Sequence, residues 1–244
     1  MGGDFQHERV PARDRPSAGG DRPPVDWAAV ETVLLDMDGT VLDLRFDNHF
    51  WREHVPRRYA EARGITLDEA KGELYPRFRA VEGTMDWYCV DYWTRTLGLD
   101  IAGLKTEVEH LIRLHDRALE FLDAVRRSGR RLLLVTNAHG KSLALKMRRT
   151  GIAGHFDALV CAHDFGRPKE DPAFWGWLRG REPYDPARTL LVDDSLAVLR
   201  SARAGGIAHL VAVRRPDSAL PPRAVDGFPA VDGLGGLLPV EGGG

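Results

Sequence analysis

The run from Val33 to Thr40, Val-Leu-Leu-Asp-Met-Asp-Gly-Thr, constrains this chain more than any other stretch of its 244 residues. A short apolar segment bounded by a turn predicts a buried β-strand. Two acidic residues, Asp36 and Asp38, close the strand and precede a Gly-Thr turn. Ligands of open α/β sheets bind at the carboxyl ends of the strands. One carboxylate there can attack as a nucleophile while the other transfers protons, a division of labour that suits phosphoryl transfer.

Later segments extend this pattern in a fixed order. A second apolar run ends in Thr136 and Asn137. Lys169 follows in a loop, and a third apolar run ends in Asp193 and Asp194. Because the carboxyl ends of parallel strands share one edge of the sheet, we expect these side chains to converge with the first acidic pair.

The predicted roles follow from the chemistry of each side chain. Asp36 is the candidate nucleophile, and Asp38 is the candidate general acid and base. Thr136 and Asn137 are expected to bind phosphate oxygens, and Lys169 to offset negative charge between the nucleophile and the phosphate.

The nucleophilic carboxylate and the phosphate are both anions, so their reaction needs a cation between them. Carboxylates, waters and phosphate oxygens are the ligands that Mg²⁺ prefers. The predicted Mg²⁺ ligands are Asp36, Asp38, Asp193 and Asp194.

The fold class predicted from the alternation of strands and helices is α/β, with a Rossmann-like parallel sheet. The predicted strands cover 30–36, 132–136, 158–161, 190–193 and 209–213. The predicted helices between them cover 117–128, 141–150, a segment from 172 past 177, and 196–204.

A helical insert interrupts this alternation between about 47 and 115. Thr66 and Glu69 form a capping-box pattern that begins one of its helices. The other helices are predicted near 48–63, from 86 to 97, and near 104–114. An insert of this length beside the catalytic carboxylates can serve as a cap that excludes water and selects the substrate. The predicted organisation is a leader at 1–25, a core at 26–46 and 116–215, a cap at 47–115 and a tail at 216–244.

The four motifs together resemble those of haloacid dehalogenase superfamily phosphatases with a helical cap. A closer resemblance, to the bacterial GMP/IMP nucleotidases of that superfamily, rests on the stretches 32–40, 46–51, 86–93, 136–139 and 168–171. It implies Mg²⁺-dependent hydrolysis of purine 5′-monophosphates. Glu170 is a departure, since many relatives carry Pro after the lysine. Asp38 favours phosphate chemistry over carbon–halogen cleavage, because the dehalogenases lack an acid at this position.

Four further residues are candidates for substrate selection. Trp87 and Tyr88 belong to an aromatic cluster of the insert, which can stack on a purine base or form the core of the cap. The cap-core interpretation is favoured for most of this cluster. His139 is predicted at a helix N-terminus, within reach of an anion. Asp43 can gate the site or belong to a solvated loop.

Composition excludes several classes. The net charge of −2 gives no indication of a nucleic-acid partner, and no apolar run is long enough to span a membrane. The cysteines Cys89 and Cys161 lack a C-x-x-C pattern, and the histidines show no metal-ligand spacing. Residues 1–25 are rich in Gly, Pro, Arg and Asp and predict a disordered leader without a signal pattern.

The expected protein is therefore cytoplasmic, with a small phosphate monoester as its partner and an oligomeric state on which the sequence is silent. Three alternatives stay open at this point. The chain can act on a sugar phosphate or phosphoglycolate with the same core chemistry. It can also be a binding protein that has lost turnover or, more remotely, a dehalogenase.

Overall fold

A parallel β-sheet forms the centre of the computed structural model, which describes residues 24–242. Within that range the sheet has six strands in the order β3-β2-β1-β4-β5-β6, each pair being parallel. The strands are β1 Thr32–Leu35, β2 Arg131–Thr136, β3 Ala158–Cys161, β4 Thr189–Asp193, β5 His209–Val213 and β6 Ala230–Val231. The predicted fold class is thereby confirmed.

Both faces of the sheet are buried, which explains why its strands read as continuous apolar runs. Val33 and Leu35 of β1 point to one face, and Leu34 points to the other. Phe121 contributes to the hydrophobic cluster on the first face, and Trp175 to the cluster on the second.

The helices that connect the strands agree with the predicted ones to within a few residues. They are α7 Ala118–Arg127 before β2, α8 Gly140–Thr150 after it, α9 Ala173–Arg181 after β3, and α10 Leu196–Ala204 after β4. Short 3₁₀-helical turns of three or four residues lie in the connections between these elements.

The tail contributes more than the surface wrapping that we expected. Ala230–Val231 adds β6 to the edge of the sheet, and Leu234 and Leu237 are buried in the core. A strand of two residues is too short to carry a period in the sequence. The predicted leader lies outside the described residues except for its last two, of which Val25 is buried.

The regular elements between β1 and α7 are helices, and Leu114 forms an isolated β-bridge with Leu42. The helices are α1 Arg45–His49, α2 Val55–Arg63, α3 Leu67–Ala80, α4 Met85–Tyr88, α5 Val90–Leu97 and α6 Ile101–Glu107. A π-helical turn, Phe50–His54, joins α1 to α2. The capping box at the start of α3 is formed: the Thr66 side chain accepts from the Glu69 N–H, and the Glu69 side chain accepts from the Thr66 N–H.

The continuous helix predicted from 86 to 97 is wrong. Cys89 has an extended backbone that separates α4 from α5. Tyr88 and Tyr92 therefore do not share one helix face. Tyr88 reaches towards the sheet, whereas Tyr92 packs edge-to-face on Trp93, which is buried in an aromatic cluster with Phe78.

Arg130, just before β2, ties the two ends of the described chain to the sheet. Its buried guanidinium donates to the carbonyls of Val30, Trp27 and Glu241 over 2.9, 2.6 and 2.6 Å. The bonds to Val30 and Trp27 are buried, so these two carbonyls would lose a charged donor away from water if the arginine were removed.

We therefore predict that Arg130→Met lowers the free energy of unfolding by about 3 kcal/mol, because it leaves buried carbonyls without donors. Arg127→Met is the matched control, since Arg127 is exposed on α7, and its effect should stay below about 0.5 kcal/mol. Urea unfolding of both variants measures the difference. Equal unfolding midpoints would contradict the assigned role.

Candidate active site

A buried ammonium group joins the ends of two strands that are distant in sequence. Asp36 directly follows β1 and continues its ladder by donating its N–H to the Val192 carbonyl over 3.0 Å. The Nζ of Lys169 donates to Oδ1 of Asp36 and, over 2.7 Å, to Oδ2 of Asp193. Lys169 is 2% exposed, so this pairing takes place away from water.

The carboxyl groups around this lysine hold their protons more tightly than free ones do. Burial raises the pKa of Asp36, Asp193 and Asp194 above their usual range. Repulsion from neighbouring carboxylates adds to the effect of burial, while Lys169 opposes it. A further positive charge at this position would favour the ionised forms.

The geometry of three carboxylates fits a divalent cation. Oxygens of Asp36, Asp193 and Asp194 lie within 4.8 Å of one another. Mg²⁺ ions bind carboxylate oxygens at about 2.0–2.1 Å in octahedral geometry, so oxygens at this separation can share one ion. The side chain of Asp38, also predicted as a ligand, does not belong to this group.

Asp38 instead enters an ion-pair network that the sequence analysis missed. The Nζ of Lys146 donates to Asp38 over 2.7 Å and to Asp47 over 2.6 Å. Lys105 donates to the other oxygen of Asp47 over 3.2 Å. Both lysines are buried, and Lys105 also lies 4.3 Å from the centroid of the Phe50 ring.

The pKa values of the two carboxylates in this network shift in opposite directions. Burial raises the pKa of Asp38 above its usual range, although Lys146 opposes the shift. For Asp47, the charges of Lys146 and Lys105 outweigh burial and hold its pKa well below the usual range. Asp47 therefore stays ionised, whereas Asp38 is the more readily protonated of the two.

The positions of Lys105 and Lys146 within their helices could have indicated from the sequence that they are buried and paired. Lys105 lies on the buried stripe of α6 with Ile101 and Leu104, and Lys146 lies on that of α8 with Leu145. A lysine within an apolar helical stripe is rare unless it is paired, so it indicates a buried carboxylate partner. The sequence does not identify that partner.

A second chain of hydrogen bonds links the insert to the sheet. Tyr88 donates to one oxygen of Glu170 over 2.7 Å, and the Asn137 amide donates to the other over 2.8 Å. The Asn137 side-chain oxygen accepts from the Lys169 N–H over 2.9 Å. Glu170, the departure from the family pattern, thus connects α4 to the loop after β2.

Thr136 keeps its hydroxyl proton available. Its oxygen accepts from the Ala138 N–H over 3.0 Å, which leaves the O–H free to donate to a phosphate. The Asn137 side chain is held by Lys169 and Glu170, so its amide has less freedom than we expected.

These groups line a cavity of about 290 Å³ between the insert and the sheet edge. Seven carboxylates and three ammonium groups of the described residues line it, so it can take a cation together with an anionic ligand. Trp51, Trp87 and Tyr88 supply its aromatic wall. The catalytic, phosphate-binding and metal-binding candidates all belong to the lining: Asp36, Asp38, Thr136, Asn137, Lys169, Asp193 and Asp194.

Two substrate-selection candidates lie elsewhere. Asp43 accepts from the Arg45 N–H over 3.0 Å and from the Ser218 N–H over 3.1 Å, and it also pairs with the Ser218 hydroxyl. His139 caps α8 by accepting from the Lys141 N–H over 3.2 Å. Neither side chain lines the cavity.

A match to a family model decides the classification of this chain. Residues 30–206 match the model of the haloacid dehalogenase-like hydrolases. The chain belongs to this family. Its match covers the acidic pair after β1, Lys169 and the acidic pair after β4, which are the residues that converge at the cavity.

Two of the relatives that this chain matches are phosphatases of small phosphate esters by name. This hydrolase is 40% identical over 215 residues to the GMP/IMP nucleotidase YrfG of Escherichia coli, covering 88% of this chain and 97% of that protein. It is 27% identical over 191 residues to the 6-phosphogluconate phosphatase of the same species, covering 73% and 80% of the two chains. Together with the family match, these relatives identify it as a phosphoric monoester hydrolase.

Solved structures of the family share the fold. The haloacid dehalogenase phosphatase from Thermococcus onnurineus superimposes with a TM-score of 0.73 at 21% identity, covering 85% of this chain and 96% of the other. CbbY from Rhodobacter sphaeroides, in complex with phosphate, gives a TM-score of 0.58 at 18% identity, covering 85% and 99%. In the part of the hydrolase that the structure describes, no helix has the length and apolar character to cross a bilayer.

Gly39 is required for the close approach of the first motif to the acidic pair after β4. Its φ of +94° lies in the region that favours glycine. A Cβ at this position would lie 2.9 Å from Cγ of Asp194 and 2.9 Å from Cβ of Pro216. A larger residue must therefore displace Asp194 or the tail.

We predict that Gly39→Ala lowers kcat/KM for phosphomonoester hydrolysis at least about 100-fold, because displacing a site carboxylate by a fraction of an ångström disturbs the geometry of reaction. Gly64→Ala is the matched control: Gly64 also has positive φ, but nothing lies within 4 Å of its Cβ position. That control should lose only about 1–2 kcal/mol of stability through backbone strain and keep its activity.

The measurement combines steady-state hydrolysis with urea unfolding of the two variants. If Gly39→Ala retained the activity of Gly64→Ala, the contact with Asp194 would have no importance for the site.

Proposed function

We propose that this hydrolase converts the purine 5′-nucleoside monophosphates GMP and IMP to nucleoside and phosphate, with Mg²⁺ and a covalent phosphate on Asp36. The observation that carries the proposal is the cavity, whose lining includes Asp36 and Lys169 together with the aromatic side chains Trp87 and Tyr88. The 40% identity to the E. coli GMP/IMP nucleotidase, over nearly all of that protein, supports the choice of substrate.

In the first half of the reaction, a carboxylate oxygen of Asp36 attacks the phosphorus atom. The bond from phosphorus to the 5′ oxygen breaks, and an aspartyl-phosphate forms. The position of Asp36 at the end of a buried strand supports this role, because the ladder to Val192 fixes its backbone.

Asp38 handles the protons of both half-reactions. Burial raises the pKa of Asp38, which favours the protonated acid needed to donate to the departing 5′ oxygen. In the second half, the ionised Asp38 removes a proton from the water that attacks the phosphorus, and the bond to Asp36 breaks to release phosphate.

We propose that Asp36, Asp193 and Asp194 hold the Mg²⁺ ion, on the strength of their close carboxylate oxygens. When bound, the ion would screen the negative charge between the attacking carboxylate and the phosphate. Lys169 contributes the same kind of screening from the protein side. The Thr136 hydroxyl and backbone groups after β2 are proposed to hold the phosphate oxygens.

The helices at 47–115 are proposed to form the cap of this enzyme, over a core at 26–46 and 116–215. The pairing of β6 with β5 supports adding the tail to the core. Tyr88 and Glu170 hold the cap against the core beside the cavity, which supports a closed site that excludes water from the aspartyl-phosphate. Trp87 and Tyr88 are the proposed contacts of the purine base.

A panel of 5′-nucleotides and sugar phosphates tests the proposal. We expect the highest kcat/KM on GMP and IMP, a dependence on added Mg²⁺, and a loss of about 10⁴-fold or more in kcat for Asp36→Asn. Phosphate release at saturating substrate is the measurement.

Highest turnover on 6-phosphogluconate or another sugar phosphate would reject the base contacts but keep Asp36 as the nucleophile. Full activity of Asp36→Asn would reject the covalent mechanism itself.

Lys146 provides a second test, because its ammonium holds the acid–base carboxylate in place. We predict that Lys146→Gln lowers kcat about 10- to 100-fold with little change in KM, since a misplaced Asp38 protonates the 5′ oxygen poorly. Lys146→Arg retains the charge and should recover part of the rate.

Lys141→Gln is the matched control on the same helix. The Lys141 side chain is 55% exposed and pairs with Asp91 rather than with the cavity carboxylates. Its kcat should equal that of the wild type. An equal loss in both lysine variants would point to a general effect on α8 instead of a specific effect on Asp38.

A further inference from the structure

A thiol and two imidazoles meet outside the carboxylate site. One ligand atom of each of Cys89, His139 and His163 lies within 4.8 Å of the other two. The three residues are 50 and 24 positions apart in the sequence, which explains why no metal-ligand spacing is visible there. Only the fold brings them together.

Three different elements supply this cluster. Cys89 occupies the break between α4 and α5, His139 caps α8 after β2, and His163 lies in the turn Ala162–Phe165 after β3. The cysteine therefore comes from the helical insert, and the histidines come from the sheet edge. All three residues are partly exposed.

His163 presents a nitrogen without a partner. Its Nε2 is buried and has no hydrogen-bond partner among the described residues. A neutral imidazole carries its proton on one ring nitrogen and a lone pair on the other, so a proton on Nδ1 would leave the Nε2 lone pair for a metal.

The contacts of Cys89 and His139 are compatible with metal binding. Sγ of Cys89 accepts from the Tyr92 N–H over 3.3 Å, which leaves sulfur lone pairs for a metal. His139 lies edge-to-face to His163, with ring centroids 4.9 Å apart. A carboxylate oxygen of Asp91 lies 3.7 Å from Nε2 of His139, and such a carboxylate often orients a metal-bound imidazole. A metal on Nδ1 of His139 would replace the long bond from the Lys141 N–H.

We propose that Cys89, His139 and His163 form a second metal site, which takes a Zn²⁺-like ion and fastens the cap to the core. A thiolate with imidazoles is the ligand set that Zn²⁺ prefers, whereas Mg²⁺ prefers oxygens. Three protein ligands leave the fourth tetrahedral position for water. On binding, the cysteine gives up its proton to solvent, and Nδ1 of His139 exchanges its hydrogen bond from the Lys141 N–H for the metal.

The consequence is a restraint on cap movement. Cys89 directly follows Tyr88, which lines the catalytic cavity and contacts Glu170. Asp91 and Lys141 already form an ion pair between α5 and α8 at the same place. An ion bound to Cys89 and both histidines would hold α5 against α8 with bonds much stronger than this exposed ion pair.

Co²⁺ is the probe for the ligand set, because a thiolate bound to Co²⁺ gives a charge-transfer band in the near ultraviolet. The full-length protein is titrated with Co²⁺ in saturating Mg²⁺, and Zn²⁺ is then added to displace the cobalt. We expect one thiolate-bound Co²⁺ per chain, which Zn²⁺ removes. Cys89→Ser should abolish the band, and His163→Gln should weaken Co²⁺ binding by roughly 100-fold or more, since even indirect partners of a metal contribute 10- to 100-fold.

Cys161→Ala is the matched control, because Cys161 is the other thiol of the chain and donates to the Ala138 carbonyl instead. Its band should equal that of the wild type. Absence of the band from the wild type, or its persistence in Cys89→Ser, would overturn the proposal.

Amide hydrogen exchange tests the restraint without reference to catalysis. Zn²⁺ should slow exchange in both α5 and α8 of the wild type, and in neither helix of Cys89→Ser. Slower exchange confined to α8 would overturn the link between cap and core. Because neither experiment measures turnover, their outcome is independent of the substrate proposed above.

Discussion

The rest of the site depends on the ion pairs that the ammonium group of Lys169 forms with two carboxylates. The ammonium group lies between the buried carboxylates of Asp36 and Asp193, which come from the ends of two neighbouring strands. Without a cation, two carboxylates in a dry site repel each other, and removing one partner from a buried pair typically costs about 3–5 kcal/mol. The lysine also fixes a loop, because its N–H binds the Asn137 side chain. Lys169 thus balances the negative charge at this edge of the sheet and also sets the spacing between the groups that lie there.

The parts of the site that could be predicted are those that a parallel sheet brings together by its topology. Asp36, Thr136 and Asp193 each end or follow a strand, so the fold class alone places them at a common edge. Lys169 followed from the chemistry of charge compensation. These inferences needed no knowledge of distances, since the shared direction of the strands supplies the proximity.

The parts that could not be predicted depend on contacts between side chains of separate helices. The pairing of Lys146 with Asp38 joins residues more than a hundred positions apart, and the sequence of α8 does not identify the partner of its buried lysine. Asp43 lies only five residues after Asp38, yet it faces the tail instead of the cavity. Closeness in sequence is thus a poor guide to closeness in space where a chain leaves a strand and turns. The break at Cys89 was also hidden, because an extended residue between two helices has no periodic signature.

The contacts of the tail with the first motif carry a consequence for the order of assembly. Pro216 lies against Gly39, Ser218 binds Asp43, and Arg223 donates to the carbonyl of Asp194. During synthesis Asp36, the proposed nucleophile, leaves the ribosome long before residues 216–223, which support its loop. A nascent chain therefore carries the first motif before it can hold that motif in position. The site is completed only when residues 216–223 close over the first motif.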